Sequence, residues 1–339
     1  MYKLIFLFNL ILYLLYSYSV DYTRTESDYP LYKNFKLNFR GKCGEIFKYP
    51  PNNENDIVIF AYQNIEITKY QNILKIIPKI IDSFKNSILN AKLLCFVPKN
   101  SSNSEVVKIL RYSNVSVKIF EGFEDIHIVN SRFFIIKDYL TKKKNKYKRV
   151  FLSDLNDVFL FKDIFATFNE SQLIINKECS YYNKEKNCVK IFEYDLVKEW
   201  FFNFFGENSE ITKKFIKLNP INLNAGIILG GTEKVINLLE ILTNNFEKEK
   251  LKYFGYDQTI LNKLYYNNEL KSLNLTIEGC TQRICFRPKN LRFNKATTKI
   301  YFLRNHCSPI IIHKYFPSSW ERSKENIINV TEILGKEEL

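Results

Sequence analysis

The chemistry of this chain concentrates in Ser153-Asp154-Leu155-Asn156-Asp157, which follows directly on the apolar run Val150-Phe151-Leu152. That run reads as a buried strand. Two carboxylates three residues apart at its end are hard to desolvate unless something positive sits between them. Ligands of α/β sheets bind outside the carboxyl ends of the strands. A divalent cation carrying a diphosphate meets both conditions. The competing reading makes Asp154 or Asp157 the cap of a helix starting near Val158, with the other carboxylate solvated.

The elements that must position these carboxylates follow from hydrophobic spacing. Ile57 to Tyr62 is a continuous apolar run, the pattern of a strand buried on both faces. Ile73, Ile76, Ile77, Ile80, Ile81 and Phe84 form a helical stripe that contains Pro78, a residue that kinks a helix or shifts its start. A strand over Leu93–Val97, a helix over Glu105–Tyr112, a strand over Val115–Phe120 and a helix over Asn130–Leu140 come next. Alternation of this kind predicts an α/β fold: one large domain with a mainly parallel central sheet and helices on both faces.

The second half carries four further signals. Leu173 to Asn176 reads as a strand, and Phe192 to Phe205 as an aromatic helix whose rings are core rather than an acceptor wall. In Asn222 to Thr232 a strand is entered through Asn224, Ala225 and Gly226 and broken at Gly230-Gly231. Small side chains there permit a close backbone approach by a ligand, and Asn224 offers an amide suited to hydroxyl groups. The G-x-G-x-x-G phosphate fingerprint is missing. Asp257, before Gln258, suits either a helix N-cap or a carboxylate facing substrate. Pro309 to Tyr315 reads as a strand that delivers His313 to a sheet end.

Taken in order, Ser153-Asp154-Leu155-Asn156-Asp157-Val158-Phe159, Asn224-Ala225-Gly226, Asp257-Gln258 and His313-Lys314-Tyr315 resemble the GT-A fold glycosyltransferases, the nucleotide-diphospho-sugar transferases. The likeness covers residues 56–317, with residues 21–55 as a stem and 318–339 as a tail. Asn156, Leu160-Phe161, Ile164 and Lys314 depart from the usual pattern, which has Arg, Phe-Gln, Pro and Gln there. The resemblance implies a metal-dependent transfer of a sugar from a nucleotide-sugar to a glycan or protein acceptor. Asp157 would hold the metal with His313, and Asp154 would bind metal or donor ribose. Asn224, Gly226 and Gln258 would line the sugar pocket, Tyr62 would lie near the nucleoside, and Asp257 would serve as base in an inverting enzyme. Aspartates with one histidine suit Mn²⁺ or Mg²⁺.

Compartment and charge narrow the alternatives. Lys3 precedes a run from Leu4 to Val20 that is apolar except at Asn9, Ser17 and Ser19, the pattern of a signal peptide or an uncleaved membrane anchor. Lys336 to Leu339 resembles a degenerate ER-retrieval signal. An ER or Golgi lumen, or secretion, follows. Among the 7 cysteines, Cys179–Cys188 and Cys280–Cys285 are natural local pairs, Cys43–Cys307 a long-range one, and Cys95 the leftover thiol. Sequons at Asn100, Asn114, Asn169, Asn274 and Asn329 fit that compartment. The net charge of +14 is spread along the chain except at Lys142-Lys143-Lys144, so nucleic acid is not the expected partner. A non-catalytic relative of the same fold and a basic polyanion-binding surface protein are the alternatives. Nothing beyond the two carboxylates favours a glycoside hydrolase.

Overall fold

The computed structural model describes residues 36–63, 71–123, 125–184, 187–289, 291–294 and 299–314. The leader, the C-terminal tail, Tyr315 and the Asn329 sequon lie outside the described residues. A two-residue strand β1 (Lys36–Leu37) precedes the alternating half: β2 (Asp56–Ala61), α1 (Gln71–Ser87), β3 (Lys92–Pro98), α2 (Glu105–Tyr112), β4 (Ser116–Phe120), α3 (Ile128–Lys142) and β5 (Arg149–Ser153). Successive side chains of a strand point to opposite faces. Val58 and Phe60 therefore pack with Ile77, Ile80, Ile81 and Phe84 of α1 on one face. Ile57 and Ile59 pack with Phe133, Ile136 and Leu140 of α3 on the other. Full burial of each such side chain contributes roughly 1.5–3 kcal/mol. Pro78 sits inside α1 without ending it.

The second half adds β6 (Val158–Leu160), β7 (Leu173–Lys177), α4 (Asp195–Phe205), α5 (Glu210–Leu218), β8 (Leu223–Gly231), α6 (Thr232–Asn244) and α7 (Tyr256–Tyr266). Short strands follow: β9 (Thr276–Glu278), β10 (Ile284–Phe286), β11 (Leu291–Asn294), β12 (Lys299–Phe302) and β13 (Ile311–His313). The central sheet has 7 strands in the order β4-β3-β2-β5-β8-β7-β9. Strands β2 to β5 are parallel, and β8 is inserted antiparallel between β5 and β7. The fold is α/β, with a mainly parallel central sheet covered on both faces. A second sheet, β10-β13-β6, and a third, β1-β12-β11, are built by the later strands.

Several local expectations are corrected. No helix begins at Val158: Val158, Phe159 and Leu160 are buried and pair antiparallel with β13, so ladder formation outweighs capping by Asp154 or Asp157. Gly230 and Gly231 lie within β8, where a side chain at either position would strike the backbone of the 170–173 segment. Gly255, at φ +84°, is the N-cap of α7, and Asp257 stands in its first turn. A side chain at 255 would also meet the Trp200 ring. The α4 helix starts at Asp195 rather than Phe192, and Phe201 and Phe204 are core, as the aromatic pattern suggests.

One ion pair closes the amino ends of the parallel strands. Arg149 begins β5 opposite Asp56 of β2, and its Nε and Nη2 donate to the two carboxylate oxygens at 2.8 and 2.6 Å. Nη1 and Nη2 also donate to the carbonyls of Phe165, Pro50 and Pro51. Both side chains are buried. Covalent links hold the late strands: Cys43–Cys307, Cys179–Cys188 and Cys280–Cys285 are disulfides, as their spacing suggests. Cys95 is free and buried in β3, where burial pushes its thiol up. Three disulfides point to an oxidising, non-cytosolic environment. Asn100, Asn114 and Asn274 are exposed. Among the described residues, no helix is long and apolar enough to cross a membrane.

Candidate metal centre

The site forms where two sheets exchange strands. After Ser153 the chain leaves the central sheet, and the Asp154 N–H still donates to the Gly226 carbonyl at 2.8 Å, extending the β5–β8 ladder by one residue. The turn through Asp157 then enters β6 in the second sheet. There Val158 is in register with His313 of β13, and the Lys314 N–H donates to the Asp157 carbonyl at 2.9 Å. Residues far apart in sequence thus meet because β13 docks on β6. Strand pairing makes the site.

Asp154, Asp157 and His313 can each offer a ligand atom, and these atoms all lie within 4.8 Å of one another. His313 is fully buried, with Nε2 at 3.3 Å from Asp157 Oδ1 and 3.5 Å from Asp154 Oδ2. Those are ion-pair distances, but the atoms are not aligned as hydrogen bonds. Asp157 Oδ1 and both ring nitrogens of His313 are buried without a hydrogen-bond partner. Unsatisfied buried groups of this kind destabilise a fold by about 1–3 kcal/mol each. Two carboxylates and an imidazole facing one another fit a hard divalent cation, and a buried Asp-Asp-His group of this kind could hold one.

Arg132 of α3 organises the other flank. Its Nη1 is 2.6 Å from Asp154 Oδ1, and its Nη2 is 3.0 Å from Asp257 Oδ2 and donates to the Ala225 carbonyl at 3.1 Å. One guanidinium therefore fixes two carboxylates and β8 together. Asn130, two residues earlier, accepts from the Asp257 N–H at 3.0 Å and donates to the carbonyls of Leu251 and Tyr253. Gly226 is required here for a different reason than ligand approach alone. A side chain at 226 would run into the Asp154 carboxylate.

Burial and neighbouring charge oppose each other throughout. Burial raises the Asp154 pKa, but Arg132 first, then His313 and Lys314, hold it well below the usual carboxylate range. Asp157 is likewise lifted by burial and brought below its ordinary value by Lys314 and His313. Burial lowers the His313 imidazole, yet Asp157 and Asp154 leave it above its ordinary value. At Asp257 burial wins over Arg132, and that carboxyl is raised. The centre holds opposite charges that sustain one another.

Behind the centre lies a buried amide cluster that the sequence does not announce. Glu178, just after β7, accepts from Asn222 Nδ2 at 2.8 Å, Asn224 Nδ2 at 2.9 Å and Gln258 Nε2 at 3.3 Å. Asn224 Oδ1 accepts from the Gly226 N–H, and Gln258 Oε1 from the Ala225 N–H. The structure therefore brings Asp154, Asp157, His313, Asn224, Gly226, Asp257 and Gln258 into one neighbourhood. The amides of Asn224 and Gln258 are engaged with Glu178 and β8. Tyr62 lies at the carboxyl end of β2 with its ring 8% exposed in the core beneath α1. Arg132, Glu178 and the proximity of Lys314 are the features that sequence reasoning misses. Arg132 had one signal: it is the lone charge between Ile128 and Ile136 in an otherwise mostly apolar helix.

Compared with models of protein families and with curated proteins, the chain matches none.

Proposed function

We propose that this protein is a metal-dependent glycosyltransferase of GT-A type, acting in the secretory pathway on a nucleotide-sugar donor and a glycan or protein acceptor. The observation that carries the reading is the convergence of Asp154, Asp157 and His313 at the carboxyl end of β5, with buried ligand atoms that no protein group satisfies. The Asn224-Ala225-Gly226 and Asp257-Gln258 segments lie against the same centre, and the resemblance would give them the sugar pocket. The three disulfides support the compartment.

Each residue then has a task. Asp157 and His313 hold the ion, and Asp154 offers Oδ2 while its Oδ1 is clamped by Arg132. A divalent ion here, Mn²⁺ or Mg²⁺, would stabilise the charge that grows on a departing nucleoside diphosphate. Arg132 keeps Asp154 and Asp257 at fixed spacing, so the groups around the sugar are positioned before it binds. Glu178 holds the amides of Asn224 and Gln258 in place. Asp257, raised in pKa and tied to Arg132, would be the base for an acceptor proton if the reaction inverts.

A thermal-shift panel tests the reading: nucleoside diphosphates and nucleotide-sugars added to the purified protein, with MnCl₂ and with chelator. Stabilisation by one nucleotide class only when Mn²⁺ is present is the expected result, worth about 2.7 kcal/mol at a hundredfold excess over Kd. A well-folded protein stabilised by none of them overturns it and favours a non-catalytic relative.

A further inference from the structure

Lys314 is where the chain leaves the usual pattern and where a second basic side chain meets the centre. Its Nζ lies 3.3 Å from Asp157 Oδ2, while Asp157 Oδ1 faces His313. Both oxygens of the central carboxylate are therefore covered by cationic or potentially cationic side chains. The lysine side chain is 26% exposed, and its ammonium faces the carboxylate. Its backbone is held in place by the bond to the Asp157 carbonyl, at φ +59°, a conformation lysine seldom adopts. Arg132 pairs with Asp154 and Asp257 on the far side, so its single charge leaves Asp157 to His313 and Lys314. The ammonium is thus the counter-ion of Asp157 itself.

An ammonium at Oδ2 and a divalent ion at Oδ1 of the same carboxylate repel each other in a partly desolvated site, so the ammonium weakens the hold of Asp157 on a cation. The conflict is relieved by an anion that takes the ammonium away. We propose that Lys314 is a built-in counter-ion that makes cation binding depend on a diphosphate: without the anion it occupies Asp157, and with it the ammonium swings to the phosphate oxygens and frees Asp157 for the metal. The proton stays on the lysine throughout. No bond is made or broken, and only the ion's partners change. Cation and diphosphate then bind cooperatively, each tightening the other by the same factor. The inference rests on the transferase reading for its choice of diphosphate, but its test does not need a nucleotide-sugar.

The experiment compares the full-length wild-type protein with Lys314→Gln and Lys314→Arg. Mn²⁺ binding is followed by loss of the free-ion EPR signal, and inorganic pyrophosphate binding by calorimetry at saturating Mn²⁺. Lys314→Gln, which keeps polarity but removes the charge and shortens the side chain by one atom, is expected to tighten Mn²⁺ alone by roughly 5- to 150-fold, the usual span of coupling between sites. The same variant is expected to weaken pyrophosphate. Lys314→Arg keeps the charge and is expected to track the wild type, which also controls for folding at this backbone position. Equal Mn²⁺ affinity in wild type and Lys314→Gln, identical behaviour of the two variants, or no Mn²⁺ binding in any of the three overturns the proposal. Failure of the nucleotide-sugar panel alone would sink the transferase reading and leave this comparison standing.

Discussion

Arg149 and Arg132 each pair with buried aspartate, one at the amino end of β5 and the other beside its carboxyl end, and only the first pair is closed. Around Arg149 all three guanidinium nitrogens and both Asp56 oxygens are hydrogen-bonded. Around Arg132 the Nε, Asp157 Oδ1 and the His313 ring nitrogens are buried with no such partner. A buried charge network that is fully satisfied rigidifies a fold, whereas one left partly unsatisfied works against stability. The contrast separates an ion pair that serves the fold from a centre that could hold an ion.

The largest effect should come from breaking the closed pair. Arg149→Met strands Asp56 in the core, and a loss of about 3–5 kcal/mol is expected in urea denaturation. A loss below about 1 kcal/mol would class it with surface ion pairs and erase the contrast. At the open centre, Arg132→Met strands Asp154 and Asp257, so it should lower metal-free stability and act on the ion as well. Removing a partner that orients a ligand weakens metal affinity by roughly 10–100-fold, measurable by Mn²⁺ titration. Asp157→Asn should abolish stabilisation by Mn²⁺ while shifting metal-free stability by about 1 kcal/mol, no more than an average substitution. If Asp157→Asn melts normally and still responds to Mn²⁺, the ligand assignment fails.

The smallest effect sharpens the same comparison through pH, in chelator. His313 is raised above its unfolded value, so its contribution is whole below about pH 6.5 and disappears as pH rises through the folded value. Asp257 is also raised, so its ionisation likewise erodes stability as pH rises. Asp154 and Asp157 are depressed. Their contribution is whole above about pH 3.9 and lost as pH falls toward their folded values. Metal-free stability should therefore peak at about pH 4, decline as Asp257 ionises and decline further above about pH 6.5, and His313→Asn should flatten the second of these declines. An alkaline limb that is unchanged in His313→Asn would show that the imidazole is not coupled to the two aspartates.

The fold was legible because its signals are local. Ile57 to Phe60 alternate between two cores, and the stripe from Ile76 to Phe84 needs only one helical period to be seen. The two aspartates were legible for the same reason, since they end a strand. What could not be read depends on docking between distant segments. Glu178 becomes part of the site only because Asn222, Asn224 and Gln258 converge on it from β8 and α7. Arg132 stands out as the lone charge between Ile128 and Ile136, but its partners Asp154 and Asp257 come from distant segments. The helix imagined at Val158 failed because β13, from the far end of the chain, supplies a strand partner that local spacing cannot foresee.

The docking of β13 on β6 also sets when the centre can exist during synthesis. Asp157 leaves the ribosome long before His313 does, and at 5–20 residues per second the gap is roughly 10–30 s. Until then the two aspartates have no imidazole, and a passing cation finds only half a binding site. The strand that brings His313 is anchored by Cys307 to Cys43 and lies beside Cys285, whose pairing with Cys280 closes the adjoining turn. Any ion held by these three residues would thereby be acquired late, in a chain already oxidised, and nascent or misoxidised copies would be recognisable by their failure to retain metal.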